Sequence, residues 1–284
     1  MAGPKWSPFP YEQKPYTYAG AALEKAWARL HRGDCEPFPS TENLARFTGK
    51  GGKSVPGFKG DLDTLSARLQ DAWRAFHRGD FREAVDTGSA LGPLGASVAN
   101  KAAGVYATYL EEDEKRAVKL LTEAAARGEE ATRLLPGYAN AWYFMAFVLG
   151  RYAQSISVVK ALSEGVGTRV RKALDTSLEL EPQHADAHTA LGLYHAEIID
   201  KVGALAGGIT YGASRDKSAD HFARAAKLFP ESPIVHMEHA NGLLMLHGDK
   251  KRAEAVKLYR KASESKPVDA MERLDVEQAK AELE

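Results

Sequence analysis

Cysteine is nearly absent. Cys35 is the single one in 284 residues, so no internal disulfide can staple the fold, and a lone thiol without metal-ligand neighbours reads as a small apolar side chain. That usage fits a reducing compartment. Net charge is missing too, with 38 Lys plus Arg against 38 Asp plus Glu. No overall field draws in nucleic acid, and no basic stripe does so locally. The longest apolar run, residues 141–150, is about half of what spans a bilayer. The opening Met-Ala-Gly-Pro-Lys-Trp-Ser-Pro-Phe-Pro lacks the apolar core of a signal peptide, so a soluble, cytoplasmic protein is expected unless a leader was removed before residue 1. There is no Gly-x-Ser-x-Gly elbow and no His-Glu-x-x-His, and the acidic residues form charge-mixed helical faces, not an isolated pair. These absences together read as a protein that is not an enzyme.

What is present is repetition. The stretch Leu178 to Gly192 stops one apolar-periodic helix at Pro182 and starts another rich in small residues. The same passage recurs around Pro136 and Pro230, and Pro267 closes a fourth copy. Earlier, Leu23-Glu-Lys-Ala-Trp27-Ala-Arg-Leu-His-Arg-Gly33-Asp34 is matched by Leu69-Gln-Asp-Ala-Trp73-Arg-Ala-Phe-His-Arg-Gly79-Asp80. Repetition at such periods marks stacked units, none of which can bury its apolar face alone.

In chain order, Pro, Trp, Tyr and Phe crowd the first seventeen residues, which predicts an extended arm packed against the body. A helix is expected from Tyr18, presenting Leu23, Ala26, Trp27 and Leu30 and ending at Gly33. Its partner helix is shortened or lost, as in a terminal capping repeat. Helices are then expected at 96–110 and 113–135. The surplus after the Pro136 repeat should extend its first helix through Arg151 to Leu162. The glycine-rich insertion Gly203 to Ser214 should not be helical throughout. Residues 1–60 are thus read as an arm with a degenerate cap, 61–267 as the repeats, and 268–284 as a capping helix.

The residues carry a family resemblance. His188, Leu191 and Gly192, and less completely Trp142, Met145 and Ala146, match the first-helix pattern of tetratricopeptide repeats (TPR). The small, aromatic and alanine positions of the second helix are matched by Ser218, Phe222, Ala225 and by Ala255, Tyr259, Ala262. Weaker copies are Val170, Leu174, Ser177 and Ala124, Gly128, Ala131. Small residues there let helix axes approach to about 8–10 Å while the aromatic ring fills the space beside them. The resemblance implies an all-α, right-handed α-solenoid of stacked antiparallel helix pairs, with about five to six repeats and long insertions. Residues 138–267, with the run Ala173 to Pro182, also resemble the repeat region of the regulator-of-microtubule-dynamics proteins, which implies an adaptor role. A more distant similarity is to the helical-repeat component of some bacterial solute transporters, which would imply a periplasmic ligand binder.

Several candidate sites fall on this frame. Gly52-Lys53-Ser54 has the tail of a phosphate loop, but Phe47 stands where the first glycine belongs, so the stretch reads as a linker. His184 with His188, His188 with His195, and His236 with His239 share helical faces. Without paired cysteines they read as packing residues, and no metal or cofactor is expected. With the packing face fixed by Trp142, Met145 and Leu149, helical geometry turns positions four, seven and eleven after each proline toward the concave wall. These are Asn140, Tyr143, Phe147, Asp186, Thr189, Leu193, Ile234, Met237 and Asn241. Their mix of aromatic, aliphatic and amide groups suits a peptide or an amphipathic helix of a protein partner. The competing reading is a small-molecule or lipid binder in which residues 203–214 close as a lid.

Overall fold

A computed structural model describes residues 6–48 and 55–284. Gly52, Lys53 and Ser54 of the linker reading lie outside the described residues. Among those described there are fifteen α-helices, three 3₁₀ turns and no strand. The chain divides into two compact units, residues 1–31 with 36–157 and residues 32–35 with 158–284.

The first unit holds α1 (Ala22–Leu30), α2 (Thr41–Ala45), α3 (Leu62–Arg78), α4 (Phe81–Ser89), α5 (Ala96–Tyr109), α6 (Glu114–Leu134) and α7 (Ala139–Gln154). Consecutive helices from α3 to α7 pack on one another, and alternate helices α3, α5 and α7 also touch, which is how stacked hairpins share a core. Side chains start the helices: Asp61 accepts from Thr64 N–H and Asp113 from the amides of Lys115 and Arg116. Gly79, at φ +92°, ends α3 in the left-handed conformation that a side chain would resist. The duplicated tryptophans meet edge to face, Trp27 and Trp73 having ring centroids 5.8 Å apart at 90°. Lys101 is buried among rings, its Nζ lying 5.2 Å from the Phe76 centroid and 5.8 Å from those of Trp73 and Phe144.

The aromatic arm is docked on the body of this unit. Trp6 lies on Tyr106 with ring centroids 4.0 Å apart, Ser7 N–H donates to the Tyr106 hydroxyl, and Phe9 sits edge-on to Phe81. A 3₁₀ turn at Lys14–Tyr16 interrupts the arm. The first helix starts later than its pattern predicts, at Ala22 and not Tyr18, because Thr17 is extended and Gly20 takes φ +53°. Its lost partner is the five-residue α2.

The second unit holds α8 (Val158–Ser163), α9 (Val166–Leu180), α10 (Ala185–Val202), α11 (Ala204–Tyr211), α12 (Arg215–Leu228), α13 (Pro233–His247), α14 (Arg252–Ser263) and α15 (Ala270–Ala281). The hairpins are α10 with α12 and α13 with α14, α10 lies beside α13, and α15 closes on α13 and α14. One boundary differs from expectation. The helix after Pro136 does not run to Leu162; α7 ends at Gln154, where Ser155 Oγ donates to the Arg151 carbonyl and competes with the helical bond. The glycine-rich insertion is, as expected, not helical throughout: α11 covers only its middle, between Gly203 at φ +85° and Gly212 at φ +62°.

The small-residue positions do what close packing requires. Ser218, Ala225, Ala255, Ala262 and Ser177 are buried with the rings of Phe222 and Tyr259. A Cβ added at Gly192 or Gly242 would come within 2.9 Å or 2.6 Å of the Phe222 ring, so two glycines form the notch that ring fills. Ser218 Oγ donates to the Gly192 carbonyl at 2.8 Å, tying α12 to α10 beside that notch.

Candidate interaction wall and the histidine cluster

The nine wall residues fall into two sets. Asn140, Tyr143, Thr189 and Met237 are buried, whereas Phe147, Asp186, Leu193, Ile234 and Asn241 are half-buried. The reachable wall is therefore narrower than helical spacing predicts. In the first unit, Asn140 Nδ2 donates to the Glu36 carboxylate at 2.5 Å, and the Tyr138 hydroxyl donates to the same group. That carboxylate opens the segment Glu36-Pro-Phe-Pro39, whose carbonyls are also engaged: Trp27 Nε1 donates to Glu36 O, Asn43 Nδ2 to Phe38 O and Ser66 Oγ to Pro39 O. The chain's own segment thus lies where a partner would approach Asn140. Phe147 presses on Gly104 of α5 and carries the Arg151 guanidinium 5.6 Å from its ring centroid.

In the second unit the Asp186 amide donates to Gly33 O, and a Cβ added at Gly33 would come within 2.3 Å of the Asp186 carboxylate. Thr189 Oγ1 donates to Ala185 O. Asn241 donates to Glu238 and accepts from the Tyr259 hydroxyl. Met237 belongs to the cluster of Tyr259 and Ala279, with Ile234 packed at its edge. Leu193 and Ile234 are the half-exposed apolar members on the neighbouring helices α10 and α13.

The ring donors show a regularity the sequence reading missed. Trp142 Nε1 lies 2.9 Å from Pro136 O, His188 Nε2 3.3 Å from Pro182 O and His236 Nε2 2.8 Å from Pro230 O. In each repeat an aromatic N–H six residues after the proline satisfies that proline's carbonyl, one of the acceptors a helix end leaves open. The signal was available as a fixed interval from proline to a ring bearing an N–H. His184 has another local task, accepting the Ala187 amide at Nδ1 as the N-cap of α10.

These bonds set tautomers. Donation from His188 Nε2 leaves its Nδ1 as an acceptor, so the His221 Nδ1 that faces it at 2.9 Å is the donor. His195 stacks on His221 with centroids 5.8 Å apart, and both of its buried ring nitrogens lack a hydrogen-bond partner. Burial, then the Arg171, His221 and Lys217 charges, pushes His195 down to about 3. Burial, then His188, Arg171 and Arg224, brings His221 down to about 4, with Asp175 opposing. His188, His236 and His239 are lowered as well, first by burial. Among the described residues no group of three His, Cys, Asp or Glu could hold a metal ion. Cys35, at φ +51°, points its Sγ at Gln183 O, and burial with Glu181, Asp34 and Asp186 pushes its thiol up to about 12. A thiol so protonated is a poor nucleophile.

Paired helices, a small-residue and aromatic notch and proline-closed turns define a TPR-like protein. The crystal structure of TTC0263, a thermophilic TPR protein in Thermus thermophilus, is similar over 76% of this chain and 99% of its own, with a TM-score of 0.54 at 17% identity. Two crystal structures of MamA are similar at TM-scores of 0.39 and 0.38, with 17% and 16% identity, over 78% and 74% of this chain and 96% of their own. The first likeness shows an all-α helical-repeat fold. The family described as Regulator of microtubule dynamics protein 1-3 matches residues 96–284, and the chain belongs to it. No curated protein matches the sequence. Among the described residues, no helix is long and apolar enough to cross a membrane.

Proposed function

We propose that the chain is a non-catalytic interaction module that holds a peptide or partner helix on the half-exposed first-helix residues Asp186, Leu193, Ile234 and Asn241 of the second unit. The observation that supports this most is the chemistry of that set: Leu193 and Ile234 offer apolar area on adjacent first helices, with Asp186 and Asn241 as polar neighbours. Such a mix suits recognition of an extended or helical segment. Membership of a family described as regulators of microtubule dynamics makes tubulin, or a protein bound to it, the first partner to try. The lid alternative draws no support from α11, whose Leu205 and Ile209 are 79% and 80% exposed. The test is co-sedimentation with polymerised tubulin, and capture from the source cell, comparing the native protein with Leu193→Ser/Ile234→Ser. Loss of capture with unchanged helicity supports the wall; equal capture by both proteins rejects it as the contact surface.

A further inference from the structure

The second unit gathers positive groups around one stripe of α12. Lys217, His221, Arg224 and Lys227 recur at helical spacing and, with Asp220 and Ala223, line an open surface cavity of about 620 Å³. Behind His221 stands His188, whose Nδ1 is 2.9 Å away, and against its ring lies His195. From α9 comes Arg171, whose Nε donates to both Asp175 carboxylate oxygens at 2.7 and 2.9 Å. The Tyr194 ring of α10 lies edge-on to His195 with centroids 5.5 Å apart, and burial pushes its hydroxyl up to about 12, with Tyr211 of α11 adding to the rise. The nearby carboxylates are Asp175, which is engaged by Arg171, and Asp220 at the cavity rim.

We propose that Lys217, His221 and Arg224, backed by His188 and Arg171, form a binding site for a phosphate-class dianion. Two independent features converge on it. One is the cationic stripe over a cavity. The other is His195, fully buried, stacked on the ring at the cavity wall and with neither nitrogen hydrogen-bonded. An imidazole left so costs free energy unless something at the site offsets it. A dianion at the cavity leaves the His195 nitrogens unpaired but offsets the positive field that Arg171, Lys217 and Arg224 now impose on the cluster. The guanidinium of Arg224 supplies a two-pronged donor for phosphate oxygens and Lys217 a mobile point charge. Lys217 Nζ is parked on the Gly212 carbonyl at 3.1 Å, from which it can swing. The His221 Nδ1–H is spent on His188, so the proton taken up with the anion goes to His221 Nε2, the ring nitrogen left without one.

The linkage has a definite sign. For a dianion whose own charge stays constant, the anion raises the affinity of the imidazole for a proton, so the proton raises the affinity for the anion, and binding tightens as pH falls from about 7.5 to about 5. Inorganic phosphate at about pH 7.5, where it is mainly dianionic, and sulfate, which stays dianionic, at both pH values are titrated into the full chain while histidine ring signals are followed by NMR. Saturable shifts at His221 and His188, stronger at the lower pH, are expected. Arg224→Gln should weaken binding about tenfold. His221→Gln should lose the gain on acidification. Vesicles of phosphatidylcholine with and without phosphatidic acid identify the source: binding to the anionic vesicles alone places the dianion on a lipid headgroup, and binding of free phosphate on a soluble ligand. No response to either probe, or equal affinity in Arg224→Gln, overturns the site, whatever the outcome of partner capture on the first-helix wall.

Discussion

The two units use one hairpin plan and fill it differently. In the first, large rings meet rings: Trp27 on Trp73 and on Phe38, Trp73 on Phe76, Phe76 on Phe81, with Phe9 of the arm added from outside and the buried imidazoles of His31 and His77 stacked on the two tryptophans. In the second, one phenylalanine sits in a notch of two glycines, and imidazoles occupy much of the remaining space around it. A ring without a titratable atom packs equally well at any pH. An imidazole packs as a neutral ring only while it stays unprotonated. The same architecture therefore gives the first unit a keystone of tryptophans with two imidazoles beside it, and the second a single phenylalanine in a glycine notch with one imidazole stacked on it.

The largest expected effect tests the keystones. Phe222→Ala empties the notch between Gly192 and Gly242 and should cost about 3–5 kcal/mol, as should Trp73→Ala in the first unit. Hydrogen exchange should place the loss of protection in α10, α12 and α13 for the first variant and in α3 to α5 for the second. If each variant loosened all the helices equally, the division into separately packed units would be wrong.

Acidification should act next on the imidazoles of the second unit. The folded state holds His195 down to about 3 and His221 down to about 4 and lowers His188, His236 and His239, all through burial first. Unfolding restores the ordinary value of about 6.5, so the unfolded chain binds more protons below that pH. Stability from these groups is complete above about pH 6.5 and falls toward about pH 4, by about 1.4 kcal/mol per pH unit for each proton taken up. Urea melts at stepped pH should show this slope, with α10, α12 and α13 opening first. His195→Leu should reduce the slope by about one proton's worth, and an unchanged slope would remove His195 from the account.

Much of this was legible in the sequence, for a physical reason. Proline and small residues report on backbone and close approach, which are local, so the hairpins and the Ser218, Phe222, Ala225 pattern could be read directly. Helix ends were harder. Ser155 ends α7 through a bond to Arg151 O, and Gly20 delays α1, both choices of one or two residues. The wall was legible only as a helical face. Asn140 lies on that face, but its partner Glu36 is remote in sequence, and nothing in spacing announces such a contact. His221 likewise gave no sign that it would meet His188 and His195 until α12 was folded onto α10.

The finest comparison lies in the turns, where one bond recurs in both units with different rings. Trp142 serves Pro136 O in the first unit, and His188 and His236 serve Pro182 O and Pro230 O in the second. Phenylalanine keeps a ring at each position and deletes the N–H. Trp142→Phe and His236→Phe should each cost about 1 kcal/mol at neutral pH, the net worth of one hydrogen bond. The two should then diverge on acidification. Trp142 has no proton to gain, so its cost stays constant, whereas His236, lowered by burial and held up by the Pro230 bond, becomes protonated on unfolding below about pH 6.5. His236→Phe therefore recovers part of its loss as pH falls, and chemical denaturation at about pH 7 and about pH 5 measures the crossover. Equal costs at both pH values would mean that the histidine at this turn serves only as a donor, and that the acid sensitivity of the second unit resides in the α10 and α12 cluster.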